Sequence, residues 1–136
     1  MSKQAQRILI VDDEAPLRFL LSKQLSRAGF DVTAAADGPA ALSLAAEKPF
    51  DAVVLDVVMP GMDGFEVCRR LKADPRTAGT PVLFLSASAG GEFRRRAFRV
   101  GAIDFLVKPF QTELLPAYLR AVLGDAASQR EDRAGQ

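Results

Sequence analysis

Apolar residues recur along the chain in short unbroken runs, and between the runs the spacing turns helical. Ile8-Leu9-Ile10-Val11 is rich in β-branched residues and has no polar alternation, the mark of a strand covered on both faces. It stops abruptly at Asp12-Asp13-Glu14. Pro16 suits the first turn of a helix, Leu17, Leu20, Leu21 and Leu25 follow at helical spacing, and Gly29 is a C-terminal stop. Asp31 to Ala35 predicts a weaker strand, and Asp37-Gly38 turns the chain into an Ala/Leu helix through about Lys48. Ala52-Val53-Val54-Leu55 is a third run, ending in Asp56 and the turn-rich segment Met59-Pro60-Gly61-Met62-Asp63-Gly64. A helix carrying Phe65, Val67, Cys68 and Leu71 follows. After a polar connection, Val82-Leu83-Phe84-Leu85 ends at Ser86. Gly90-Gly91 opens a helix from about Glu92 to Val100, and Phe105-Leu106-Val107 ends at Lys108-Pro109.

The last helix is expected from about Glu113 to Leu123, with Pro116 shifting or distorting its start because proline lacks a backbone N–H. Residues 1–124 then form one domain, and residues 125–136, without large apolar side chains, are expected to be a mobile tail. Five strands alternating with five helices predict an α/β fold with a parallel sheet wrapped on both faces. Right-handed crossovers leave few topologies, of which the doubly wound, flavodoxin-like strand order 2-1-3-4-5 is favoured.

Composition narrows the chemistry more than the fold. With 18 Lys+Arg against 17 Asp+Glu, the net charge of +1 gives no overall pull toward nucleic acid or membrane. No apolar stretch approaches a bilayer span and the first residues lack a signal-peptide core, so a cytoplasmic location is expected. One cysteine cannot form an intramolecular disulfide, and the absence of histidine removes Ser-His-Asp triads and His-ligated zinc. What remains is carboxylate, lysine and hydroxyl chemistry, with or without a hard cation.

Those groups fall in an orderly place. In open α/β sheets, sites form beyond the carboxyl ends of the strands where the strand order reverses. The first strand ends at Asp12 and Asp13, the third at Asp56, the fourth at Ser86 and the fifth at Lys108. Three carboxylates in one crevice repel one another unless a cation joins them. Oxygen donors without His or Cys select Mg²⁺ or Mn²⁺. Lys108 adds a positive charge beside Asp56 and Ser86 a hydroxyl, a set that stabilises a transferring phosphoryl group on an Asp nucleophile. Taken singly, each position has a plainer reading: Asp12 or Glu14 as a helix cap, Lys108 as a solvated strand end.

At these residues the chain resembles the bacterial response-regulator receiver domains. The resemblance rests on ILIVDDE, VVLDVVMPGMDG, FLSA and GAIDFLVKPF, and it covers about residues 7 to 123. It implies that Asp56 accepts the phosphoryl group. It implies that Asp13 ligates the metal, that Asp12 holds a metal-bound water, and that the backbone carbonyl of Val58 completes the protein's share. Ser86 and Lys108 would meet the phosphoryl group, and Phe105 would be the aromatic switch residue. Lys108-Pro109 is a cis peptide in relatives. The donor would be a histidine kinase or histidine phosphotransfer protein. The message would leave through the fourth helix, fifth strand and last helix, the face through which relatives also form homodimers, toward an effector the sequence does not name. On this reading the chain is a stand-alone phosphoacceptor that catalyses only its own phosphorylation and dephosphorylation, with no direct nucleic-acid or membrane contact.

Two competing readings have their own signatures. A haloacid-dehalogenase-type phosphohydrolase also uses an Asp nucleophile, but in an Asp-x-Asp pattern after the first strand, whereas Asp12 and Asp13 are adjacent. A phosphorylation-independent pseudo-receiver lacks part of the acidic set, which is complete here. Two local features stand apart. Val58 is apolar where relatives place residues that steer water, which predicts slow self-dephosphorylation. Arg94, Arg95, Arg96 and Arg99 put a basic stripe on the fourth helix, either a solvated face or a dock for an acidic partner.

Overall fold

The computed structural model describes residues 5–134. Strands β1 (Arg7–Val11), β2 (Asp31–Ala35), β3 (Ala52–Asp56), β4 (Val82–Ser86) and β5 (Asp104–Val107) alternate with helices α1 (Ala15–Arg27), α2 (Gly38–Glu47), α3 (Gly64–Ala73), α4 (Gly91–Arg99) and α5 (Leu115–Ala134). The strands form one sheet in the order β2-β1-β3-β4-β5, every neighbouring pair parallel, as expected from the sequence.

Side-chain alternation along the strands sends residues to two separate cores. Leu9, Val11, Val53, Leu55 and Phe84 pack with residues of α2, α3 and α4 on one face. Ile8, Ile10, Val54, Leu83 and Leu85 pack with Leu21 and Leu25 of α1 and Leu115, Leu119 and Leu123 of α5 on the other. The three central strands are buried on both faces, which is why their sequences read as unbroken apolar runs. Strand β5 lies at the sheet edge, is shorter, and is only partly buried.

At the C-terminal region the start of the last helix is shifted, as expected from Pro116, whereas its end is not where the sequence pattern put it. A short turn of 3₁₀ helix (Thr112–Leu114) precedes α5, which puts Pro116 inside the first turn, where its missing N–H has no helical partner to lose. The helix does not stop near Leu123 but continues to Ala134. Gly124 costs a helix about 1 kcal/mol relative to alanine, and the alanine, glutamine, arginine and glutamate residues that follow are good helix formers. Lack of large apolar side chains removes packing, not helix propensity. The last two residues of the expected tail, 135–136, lie outside the described residues.

Cys68 is buried on the inward face of α3 with its Sγ 3.4 Å from the Val100 carbonyl. Burial pushes the thiol up to about 11, only partly offset by Lys72. At pH 8 its thiolate fraction is then roughly two hundredfold below that of an ordinary cysteine near 8.5. Alkylation of the native chain by a maleimide at pH 8 is expected to be slower than in denaturant by about that factor or more, and to accelerate as the pH rises. Equal rates in the two conditions would contradict this placement.

Candidate functional site

The sheet register builds the crevice. Val11 pairs with Leu55 across β1 and β3, so Asp12 and Asp56 come next on adjacent strands. Ser86 pairs with Val107 across β4 and β5, which brings Lys108 out one position further at the same end. One carboxylate oxygen each from Asp12, Asp13 and Asp56 lies within 4.8 Å of the others; Asp12 and Asp56 are buried and Asp13 is exposed.

Lys108 sits among them. Its Nζ is 3.3 Å from Asp56 Oδ2, 3.4 Å from Asp12 Oδ2 and 3.8 Å from Glu14 Oε1. Burial pulls the ammonium pKa down, but the charges of Asp12, Asp56 and Glu14 and the hydrogen bond to Asp56 together outweigh it and the net shift is upward. The Asp56 carboxyl is raised, by burial first and by the Asp12 charge second, while Lys108 and the Val58 N–H work against the rise. One ammonium cannot neutralise this many carboxylates, so the crevice carries excess negative charge with oxygen donors only.

Asp12 is held at three points. Its Oδ1 accepts the Glu14 N–H at 2.8 Å, its Oδ2 faces Lys108, and its backbone carbonyl accepts from Arg18 Nη1 at 2.8 Å. The Asp12 carboxylate thus organises the loop before α1, and Glu14, the N-terminal boundary residue of α1, makes no side-chain cap. Asp56 accepts the Val58 N–H at 3.4 Å, and the Val58 side chain stands 72% exposed beside it. The Ser86 hydroxyl oxygen accepts the Ser88 N–H at 3.0 Å, so its own proton is free to point elsewhere. Lys108-Pro109 is cis.

The wall behind Asp56 was not apparent from sequence. Gly64, the first residue of α3, donates its N–H to the Val57 carbonyl at 2.8 Å. A Cβ at Gly64 would lie 2.4 Å from the Asp56 carbonyl oxygen and 2.8 Å from Val57 Cα. A glycine just ahead of an apolar helix was the available signal, but only the register of β3 shows what it touches. Arg18 also went unread as a support of the crevice, although it lies one helical turn past Glu14.

Phe105 is half-buried on β5, three residues before Lys108, and its ring packs on α4. Its ring meets Phe93 edge-on at 5.2 Å and Phe98 at 6.4 Å, and the Arg94 guanidinium lies 5.5 Å above it. Phe93 in turn contacts Phe65, at 5.6 Å, the residue next to Gly64.

A doubly wound parallel sheet with three carboxylates and a lysine at the reversal of its strand order defines a class of small α/β proteins built around one acidic crevice. Residues 8–120 match the response regulator receiver domain, and the chain belongs to that family. It is 47% identical over 117 residues to the response regulator PleD of Caulobacter vibrioides, a match covering 85% of this chain and 26% of that protein. It is 42% identical over 130 residues to the DNA-binding transcriptional regulator RpaA of Synechocystis, covering 96% of this chain and 52% of that protein. The structure of the Vibrio cholerae chemotaxis protein CheY4 superposes with a TM-score of 0.83 at 37% identity, covering 87% of this chain and 98% of that one. The chain therefore spans a quarter to a half of these two curated relatives and most of a third, structurally defined one. Among the described residues no helix is long and apolar enough to cross a membrane.

Proposed function

We propose that this chain is a phosphoacceptor switch: Asp56 takes a phosphoryl group from a phosphohistidine on a kinase or phosphotransfer protein. The observation that carries this reading is the buried Asp56 carboxylate 3.3 Å from Lys108, at the mouth of a crevice that gathers two further carboxylates. An Asp56 oxygen attacks phosphorus as the P–N bond to the donor imidazole breaks, and the imidazole leaves with the bonding pair and takes up a proton. Lys108, already beside that oxygen, meets charge that builds on the phosphoryl oxygens. Ser86 offers its hydroxyl proton from the neighbouring strand. The donor set is oxygen only and over-negative, which fits Mg²⁺ or Mn²⁺. Asp13, Asp56 and the Val58 carbonyl would hold the ion, with Asp12 behind a bound water. Such an ion supplies charge neutralisation for the incoming phosphoryl group. The chain turns over no other substrate on this reading, and it works in the cytoplasm, where phosphohistidine donors are made.

Beryllofluoride, a phosphoryl mimic, tests the proposal. With Mg²⁺ it is expected to change the NMR ring resonances of Phe105 in a saturable way. Resonances that stay put in the wild-type chain would sink the switch reading and favour a phosphorylation-independent interaction protein.

The exposed Val58 side chain lies where water must approach a phosphorylated Asp56, and it has no polar atom to orient that water. The phosphoryl group is expected to last minutes rather than seconds, and Val58→Asn to shorten it. Decay of the phosphorylated chain, followed by intact mass after removal of the donor, measures both. Wild-type decay within seconds would count against this role for Val58.

A further inference from the structure

Arg18 occupies a place that helix electrostatics disfavours. It stands fourth in α1, where the aligned peptide dipoles make the helix end positive and a cation unwelcome. Among the described residues, no carboxylate lies within salt-bridge distance of its guanidinium. The side chain is half-buried and reaches back past the start of the helix, where Nη1 donates to the Asp12 carbonyl at 2.8 Å.

That contact falls on one particular peptide. The Asp12 carbonyl and the Asp13 N–H belong to a single rigid plane, so a donor held on the carbonyl sets the direction in which the chain enters Asp13. Asp12 itself needs little such help. Its N–H donates to the Ala35 carbonyl at 3.2 Å, and its carboxylate accepts the Glu14 N–H and faces Lys108. The Asp13 carboxylate is exposed and, among the described residues, accepts no hydrogen bond and makes no ion pair. An oxygen of it nevertheless lies within 4.8 Å of oxygens of both Asp12 and Asp56. Of the three carboxylates, it is the one whose place depends on its backbone alone, and Arg18 grips that backbone.

We infer that Arg18 is a positioning residue for the divalent cation: by holding the Asp12 carbonyl it keeps the Asp13 carboxylate beside that of Asp56, and its loss weakens cation binding. The inference rests on the metal-assisted phosphoacceptor reading above. Its sign separates it from simple electrostatics. Arg18 is a positive charge beside the crevice, so on charge alone its removal would favour another cation. Loss of position works the other way, and partners that orient a metal ligand are worth about ten- to a hundredfold in metal affinity.

Binding of Mn²⁺ to the full chain is the test, because the EPR signal of the free ion reports occupancy without any phosphoryl transfer. The wild-type chain is expected to bind Mn²⁺ in competition with Mg²⁺, and Asp13→Asn to lose that binding. Arg18→Met, which keeps an apolar stem and drops the donors, should bind Mn²⁺ about tenfold more weakly. Arg18→Lys keeps the charge and a donor, and should recover part of the loss. Thermal unfolding in chelator should fall by only about 4 °C in Arg18→Met, the scale of one hydrogen bond. Binding by Arg18→Met as tight as in the wild type, or tighter, would overturn the inference and leave the metal reading standing. A lysine variant no better than the methionine one would overturn the hydrogen bond as the cause. Collapse of the fold in chelator would make the role of Arg18 structural and overturn the inference as well. A wild-type chain that takes up no Mn²⁺ would instead remove the metal reading itself, and the inference with it.

Discussion

Asp56→Asn is expected to lose phosphoryl acceptance altogether and, at the same time, to unfold at a higher temperature than the wild-type chain when no divalent cation is present. The first effect follows from chemistry, because an amide oxygen is not a nucleophile at phosphorus under these conditions. The second follows from electrostatics. Burial and the Asp12 charge raise the Asp56 pKa above its ordinary value. A carboxyl whose native pKa is raised contributes stability that is present below its unfolded pKa and is lost as the pH rises through the native value. At neutral pH the ionised Asp56 is therefore a cost to the fold, and the neutral amide removes it while Lys108 keeps Asp12 and Glu14 as partners. Intact-mass measurement after exposure to a phosphodonor reads the first effect, and thermal unfolding in chelator the second. The stability gap should narrow when Mg²⁺ is added and when the pH is lowered toward the unfolded carboxyl's range. A variant less stable than wild type in chelator at neutral pH would overturn the electrostatic account.

Gly64→Ala carries the second large expectation, and here the loss is structural. The added methyl group would meet the Asp56 carbonyl oxygen at 2.4 Å and Val57 Cα at 2.8 Å, both backbone atoms of the buried strand end and the loop that follows it. No side-chain rotation relieves such a contact. Either α3 backs away, breaking the Gly64 N–H bond to the Val57 carbonyl, or the end of β3 shifts and carries Asp56 with it. A cost of about 3 kcal/mol is expected, at the upper end of overpacking in a well-filled interior, read as a fall in the denaturant midpoint. Gly61→Ala makes a useful comparison: its φ of 78° strains an L-residue, but open space surrounds it. Gly61→Ala should cost about 1 kcal/mol. If Gly64→Ala were no worse than Gly61→Ala, the close approach at Asp56 would not matter as described.

The sheet was legible because its central strands are covered on both faces, which leaves the runs from Ile8, Ala52 and Val82 almost purely apolar. The polar residues Asp12, Asp56, Ser86 and Lys108 were legible because each interrupts such a run at the same end. Local pattern was blind to what the chain does in three dimensions after those ends. Gly64 reads as one more turn glycine until β3 is placed beside it. Arg94 reads as one of four similar arginines until Phe105 is placed under it, and Arg96 turns out to serve a different ring, that of Phe65. The extension of α5 escaped notice for another reason: a helix without an apolar stripe lacks the periodicity by which helices are recognised, although its residues favour the conformation.

The unequal burial of the five strands has a mechanical meaning. β3, which bears Asp56, is buried along its whole length between two ladders, whereas β5, which bears Phe105, is a partly exposed edge strand with one. Displacing an element costs roughly the contacts and ladder bonds it gives up. The anchor of the chemistry is thus set in the stiffest layer of the molecule, and the ring that would respond to it rides on one of the most compliant. A small force generated at the crevice would spend itself at the far edge of the sheet and leave the nucleophile where it stood.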